Sequence, residues 1–245
     1  METVLITGAS RRLGSLIAGD LATAGHFVWV HYRRHREDAI ALREQITASG
    51  GQCECIRADL SNTDQIDDML RSIREHGSGS LTTLINNASL FSRGTISDTS
   101  PDTWDLVMNT NLKAAWYLSA RFNDMFQTAK RIITIGDASV SKGYAGHAVY
   151  GLSKYALRYL NVQMAEAFAP GVMVNLLSPG LVLRGENESE DAWARRTEAL
   201  PADNSGIVDS VLKGIRYLMS DPGMTGAELF IDNGLHLQGK YLNVK

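Results

Sequence analysis

Tyr150-Gly-Leu-Ser-Lys154 places a phenol and an ammonium one helical turn apart on a single face. A phenol ionises at about 10, so it exchanges few protons at neutral pH unless a neighbour intervenes. Lys154 is such a neighbour, because a cation one turn away favours the phenolate. On its own the spacing also suits an ordinary amphipathic helix surface. A second stretch, Thr7-Gly8-Ala9-Ser10-Arg11-Arg12-Leu13-Gly14, follows an apolar run and precedes a helical period. Gly8 and Gly14 flank a turn whose backbone N–H groups, with a helix dipole behind them, suit a pyrophosphate. Arg12 stands where such a turn is expected to carry its middle glycine.

The end of the second apolar run, Phe27-Val-Trp-Val-His-Tyr-Arg33-Arg34, bears on which nucleotide would fit. A carboxylate about 20 residues beyond the glycines would accept from a free ribose 2′-hydroxyl. The first acid here is Glu37, and Arg33, Arg34 and Arg36 come before it. A guanidinium meets a phosphate with two parallel charge-assisted bonds, so NADPH is expected over NADH. A solvated basic turn is the other way to read the same residues. Asp59-Leu60 follows the third apolar run, where an adenine would pass and Asp59 would accept from its amino group.

Those residues need a scaffold. The chain has 245 residues, 44% of them hydrophobic, and a formal net charge of -3, which argues against nucleic acid or an anionic membrane as partner. No apolar run approaches the ~20 residues of a membrane helix, and no signal-like start precedes Val4. Cys53 and Cys55 read as reduced thiols, and with the lack of a leader they predict a cytoplasmic protein. Strand candidates at Thr3–Thr7, Phe27–His31, Cys53–Arg57, Thr83–Asn86, Arg131–Ile135, Val172–Leu177 and Glu228–Ile231 alternate with helical periods. The helical periods fall near Gly14–Ala24, Glu37–Ser49, Thr63–His76, Trp104–Phe126, Tyr150–Phe168 and Gly206–Met219. Gly25, Gly50 and Gly171 sit where left-handed helix caps belong, Ser61-Asn62 offers an N-cap, and Pro101 introduces the fourth helix. The alternation predicts α/β class: a single-domain, doubly wound parallel sheet of about seven strands, Rossmann-like, with helices on both faces. Val182–Ser205 is polar and long, and is expected to be a substrate lid within that domain.

Together these stretches resemble a short-chain dehydrogenase/reductase over essentially the whole chain. Thr7-Gly8…Gly14, Asn86-Asn87-Ala88, Asn111, Tyr150…Lys154 and Ser178-Pro179-Gly180 fall in the family's order and spacing. The resemblance implies Tyr150 as proton donor, Lys154 as its partner, and Asn111 as the holder of a water relay behind the lysine. It implies that Gly8, Arg11, Arg12, Leu13, Gly14, His31, Tyr32, Arg33, Arg34, Asp59 and Leu60 line the adenosine and phosphates. Asn87, Ala88, Ser89, Pro179, Gly180 and Leu181 would continue towards the nicotinamide.

Three departures narrow it. Asp137 stands thirteen residues before Tyr150, where the family usually has a serine. Ser89 replaces the usual glycine after Asn86-Asn87-Ala88, with Leu90 and Phe91 behind it, and Arg12 occupies the glycine turn. All three resemble the pteridine reductase branch, including the dihydromonapterin reductases. That branch implies Arg12, Ser89, Phe91, Asp137 and Tyr150 around a pterin, with Phe91 stacked on it and Asp137 bonded to the tyrosine; Trp193, in the expected lid, is a further candidate contact outside the resemblance. Read alone, Arg12 could neutralise phosphates, Phe91 could be core and Asp137 a helix cap. The expected reaction is NADPH-dependent reduction of a dihydropterin, dihydromonapterin or dihydrofolate. A generic carbonyl or 3-oxoacyl reductase and a non-catalytic NADP sensor are the alternatives. The apolar faces of Trp104–Phe126 and Tyr150–Phe168 exceed what one sheet needs, and family resemblance implies a homotetramer built on them. No metal site is expected.

Overall fold

Runs such as Val4-Leu5-Ile6 and Ile132-Ile133 are apolar on both sides, so their strands require helices on both faces. The computed structural model describes residues 1–76, 80–220 and 223–237. Strands β1 (Thr3–Ile6), β2 (Phe27–Tyr32), β3 (Gln52–Arg57), β4 (Thr83–Asn86), β5 (Arg131–Ile135), β6 (Met173–Pro179) and β7 (Glu228–Ile231) form one sheet. Their order is β3-β2-β1-β4-β5-β6-β7, and every neighbouring pair is parallel.

Alternation along β1 sends Val4 and Ile6 to one face and Leu5 to the other. On the first face they meet Ile17 and Leu21 of α1 (Arg12–Thr23), Ile46 of α2 (Arg36–Ala48) and Ile215 of α8 (Ile207–Met219). On the second, Leu5 and Trp29 meet Ile66 and Leu70 of α3 (Thr63–Glu75), Phe122 of α5 (Ala114–Met125) and Met164 of α6 (Ala148–Phe168). The fold class is therefore the expected one; β4, β5 and β7 have the expected bounds and the other strands differ by one or two residues at their ends.

The helices carry three corrections. The expected single helix Trp104–Phe126 is α4 (Pro101–Met108), a π turn over Asn109–Lys113, and α5. Gly171 is not a left-handed cap: α6 ends at Phe168, and its cap Ala169 has an extended backbone that precedes Pro170, while Gly25 and Gly50 do adopt positive φ. The Val182–Ser205 stretch contains a helix, α7 (Glu190–Glu198), capped by Ser189 Oγ accepting from the Ala192 N–H. Asn62 caps α3 by accepting from the Asp64 and Gln65 N–H groups, as its type suggests. Among the described residues no helix is long and apolar enough to cross a membrane.

Candidate active site

The strand order reverses between β1 and β4, the position where an open parallel sheet leaves a crevice beyond its carboxyl ends. The turn after β1 forms one wall. Gly8 has φ +61°, and a Cβ on it would stand 2.9 Å from the Ala88 Cα. A Cβ on Gly14 would fall 2.3 Å from the Gly8 carbonyl oxygen and 2.6 Å from Asn87 Nδ2. Both positions therefore exclude side chains. Arg12 keeps the left-handed backbone of the glycine it replaces, with φ +54°. No side chain caps α1, and no acid lies in its first turn. Its leading N–H groups remain open to an anion, so the turn fits a pyrophosphate.

Several expected nucleotide residues hold this turn rather than line its open side. His31 is buried; Gly8 N–H donates to its Nδ1 at 3.0 Å, and Nε2 lies 3.1 Å from the Ala58 carbonyl oxygen. Those partners make Nδ1 the bare nitrogen and Nε2 the protonated one. Burial pushes the imidazole's pKa down to about 4, partly offset by the Ala58 bond and Asp59. Asn87 spends its amide on the Thr7 and Gly8 carbonyls, at 2.9 and 3.1 Å. Tyr32 and Leu60 are buried in the two cores, and Leu13 packs on the first. Ala88 lies against Gly8, and its N–H donates to Thr7 Oγ1.

At the adenosine end, Arg33 Nε pairs with Asp59 Oδ2 at 3.1 Å while Arg34 stands exposed. Asp59 Oδ1 also accepts from the Ser61 N–H and hydroxyl, so the carboxylate expected to face an adenine is already engaged. Burial works to raise its pKa, but the Ser61 bonds and the Arg33 and Arg34 charges hold it below the usual carboxylate value.

The chemical end gathers as expected. Tyr150 Oη donates to Asp137 Oδ2 at 2.6 Å, and Asp137 Oδ1 accepts from the Ser139 N–H at 2.7 Å. Asp137 is thus both the phenol's partner and the cap of a 3₁₀ turn. Burial, then the Asp137 charge and hydrogen bond, drives the Tyr150 pKa well above its ordinary value. The expected lowering by Lys154 does not prevail. Lys154 is itself buried, with Nζ donating to the Ile135 carbonyl at 2.7 Å, and burial brings its pKa down to about 8 against the pull of Asp137. Asn111 sits inside the π turn. Its Oδ1 accepts from Leu90 N–H at 2.7 Å, while Nδ2 donates to the Leu90 carbonyl at 3.1 Å and Ser153 Oγ at 3.0 Å. A small cavity behind the lysine, where a water relay is expected, has polar groups from Thr7, Asn86, Thr110, Asn111 and Thr134 among apolar side chains such as Leu118 and Leu157.

Phe91 is 56% exposed, which removes the core reading of that residue. Its ring stands edge-on to Tyr150, centroids 4.7 Å apart and planes at 79°. Ser89 beside it is exposed. Two further aromatics that sequence reasoning missed complete the wall, Tyr144 and His147. They sit at positions 6 and 3 residues before Tyr150, a spacing that could have flagged them. The 182–205 segment meets the turn after β1 on the opposite side. Arg12 donates to the Arg184 carbonyl at 3.1 Å, Arg11 pairs with Glu186 at 2.7 Å, and Arg184 donates to the Glu188 carbonyl at 2.6 Å. Arg12 is therefore tied to the 182–205 segment rather than standing free over the turn. Trp193 packs beside Ala138, Leu181, Leu200 and Leu235, with the Arg196 guanidinium 5.9 Å from its ring. Pro179 ends β6, and Gly180 lies so close to Asp232 that a Cβ would meet its Cα at 2.8 Å.

Known proteins resemble the chain over nearly its full length. The 3-oxoacyl-(acyl-carrier-protein) reductase FabG of Staphylococcus epidermidis is 27% identical over 96% of this chain and 99% of its own. Versicolorin reductase 1 of Dothistroma septosporum is 30% identical over 95% of each. Among solved structures, FolM alternative dihydrofolate reductase 1 from Brucella canis, complexed with NADP, superposes with a TM-score of 0.88 at 28% identity, covering 100% of this chain and 97% of that one. The family described as enoyl-(acyl carrier protein) reductase matches residues 8–236. With that match covering most of its length, the chain belongs to the short-chain dehydrogenases/reductases.

Proposed function

We propose that the protein is an NADPH-dependent reductase of a flat, pterin-type ring. The observation that carries this is the 2.6 Å bond from Tyr150 to Asp137 beneath the exposed ring of Phe91. NADPH, when bound, supplies the hydride. The turn from Gly8 to Gly14 would hold its pyrophosphate and Arg34 its 2′-phosphate, with Arg33 braced by Asp59 alongside. Pro179, Gly180 and Leu181 would hold the carboxamide, and residues 182–205 would act as the lid. The NADP complex of the Brucella canis FolM protein supports the cofactor choice.

The residues then divide the remaining work. Tyr150 stays protonated at neutral pH because burial and Asp137 both disfavour its phenolate. It delivers its proton to the ring nitrogen beside the reduced carbon, and Asp137 aims the hydroxyl. Buried Lys154, whose pKa of about 8 leaves it mostly charged at neutral pH, offsets the negative charge left on the phenol. Asn111 clamps the Leu90 backbone to α6 and so fixes Phe91 relative to Tyr150.

The second reading is a 3-oxoacyl reductase, favoured by the similarity to FabG. Asp137 weighs against it, since a carboxylate at the carbonyl oxygen repels a developing oxyanion. Initial rates with NADPH against a dihydropterin and against a 3-oxoacyl thioester decide between them. Turnover of the dihydropterin, abolished by Tyr150→Phe, is the expected result. Turnover of the thioester alone would replace the first reading with the second, and NADPH binding with no turnover of either would leave a sensor. Assembly as a cytoplasmic homotetramer through the outer faces of α4 to α6 belongs to the same proposal.

A further inference from the structure

An aromatic ring that is 56% exposed would normally rotate freely, yet Phe91 is held on two sides. Its ring lies nearly flat on the His147 imidazole, centroids 4.2 Å apart and planes at 26°, and edge-on to Tyr150. His147 is itself fastened. Its Nδ1 lies 2.7 Å from the Ser92 carbonyl oxygen, which makes Nδ1 the protonated nitrogen. Its backbone bridges to Gly94, flanked by Gly94 N–H to the Gly146 carbonyl at 2.8 Å and Ala148 N–H to the Gly94 carbonyl at 2.9 Å. Tyr144 closes the far edge, 4.8 Å from His147 and 6.1 Å from Phe91. The imidazole covers one face of Phe91, and His147 precedes Tyr150 by three residues at the start of the same helix. One short segment thus sets both the reacting phenol and the backing of the ring above it.

We propose that His147 is a positioning residue that fixes Phe91 as a rigid wall and so selects flat ring substrates over compact aliphatic ones. The proposal rests on the reading that a planar ring lies against Phe91, and it names the residue that makes the wall firm. A loose ring would lose part of its stacking contact to reordering on each binding event, whereas a stacked one is already in place. The imidazole hydrogen bond fixes the loop, and the imidazole face fixes the ring.

Binding of oxidised pterin to the NADP-saturated protein, monitored by quenching of pterin fluorescence, tests this without turnover. His147→Ala is expected to raise the pterin Kd about tenfold, the equivalent of one aromatic pair. His147→Phe, which keeps a flat face, is expected to return it to within about threefold of wild type. In a Phe91→Ala background, His147→Ala should add less than about twofold, because its effect passes through the missing ring. An NADPH Kd within about twofold of wild type in every variant shows the fold intact. Equal weakening by Ala and Phe, a full additional loss in the Phe91→Ala background, or no effect of Ala would each overturn the proposal. The same series with phenanthrenequinone, a flat ring that is not a pterin, separates the two ideas. Should wild type ignore pterin but bind the quinone with the same pattern, the pterin assignment fails and the role of His147 stands. Should wild type bind neither flat ring, both fail.

Discussion

Two residues decide how protons behave in this molecule, and both were visible as types while their environments were not. Asp137 could be picked out because it stands where a serine is usual, but only the fold shows both of its oxygens in use, one on Tyr150 and one on the Ser139 N–H. Asp137→Asn retains a carbonyl for the cap and removes the charge that helps raise the Tyr150 pKa. The variant should lose about ten- to a hundredfold in kcat, and the alkaline limb of its pH profile should move to lower pH. An unmoved limb, read from initial rates across pH, would show that Asp137 does not govern the phenol. His31 makes the second case. In the folded protein its pKa is depressed to about 4 from an ordinary 6.5. The neutral form is therefore the stabilising one: its contribution is complete above pH 6.5 and erodes as pH falls towards 4. The full loss is about 3 kcal/mol over that window. His26, also depressed by burial, works in the same direction, so the difference between wild type and His31→Gln isolates the buried ring. Urea midpoints at pH 7.5 and 5 should fall more steeply for wild type than for the variant, and parallel falls would refute the assignment.

At the scale of elements, legibility followed burial. The strands of the central sheet are apolar on both faces and could be placed almost to the residue, as Thr83–Asn86 and Arg131–Ile135 were. Helix α7 could not, because none of its residues is fully buried and so no apolar stripe marks its period. Nor could the π turn, since one widened turn inside an apolar helix leaves the pattern nearly unchanged while it brings Asn111 inward onto Leu90 and Ser153. The glycines of α1 show how far spacing alone can be trusted. Gly14 and Gly19 lie in the same helix, but a Cβ on Gly14 collides with the Gly8 carbonyl, whereas one on Gly19 meets nothing within 4 Å. Gly14→Ala should therefore cost about 1–3 kcal/mol and weaken NADPH binding by tenfold or more. Gly19→Ala should gain up to about 1 kcal/mol with NADPH affinity kept. Thermal unfolding with and without NADPH reads both, and equal shifts in the two variants would remove the turn's packing as the reason for Gly14.

At the scale of the whole molecule there is a surface that the described residues do not cover. Along α6, Leu152, Tyr155, Tyr159 and Val162 recur at helical spacing and are 43%, 56%, 71% and 48% exposed. Trp104 of α4 and Trp116 of α5 add exposed indole surface, and α4 packs against α6. Large side chains gathered on neighbouring helices in this way mark an interface more often than a solvated face. The occupant we propose is a second copy of the chain, because two-fold pairing of such helices sets like against like and closes without leaving a free end. The sequence hinted at this through apolar faces longer than a single sheet requires, but only the exposures separate residues facing the sheet from those facing away. Tyr159 is the residue on which to test it: at 71% exposure it contributes little to the monomer's core, so Tyr159→Glu should leave the monomer folded while setting charges against each other across the pair. Light scattering on a sizing column should give wild type at least twice the 26.8 kDa chain and the variant a smaller species with unchanged circular dichroism. A monomeric wild type, or a variant that still elutes with it, would mean that these aromatic faces do not join copies of the chain.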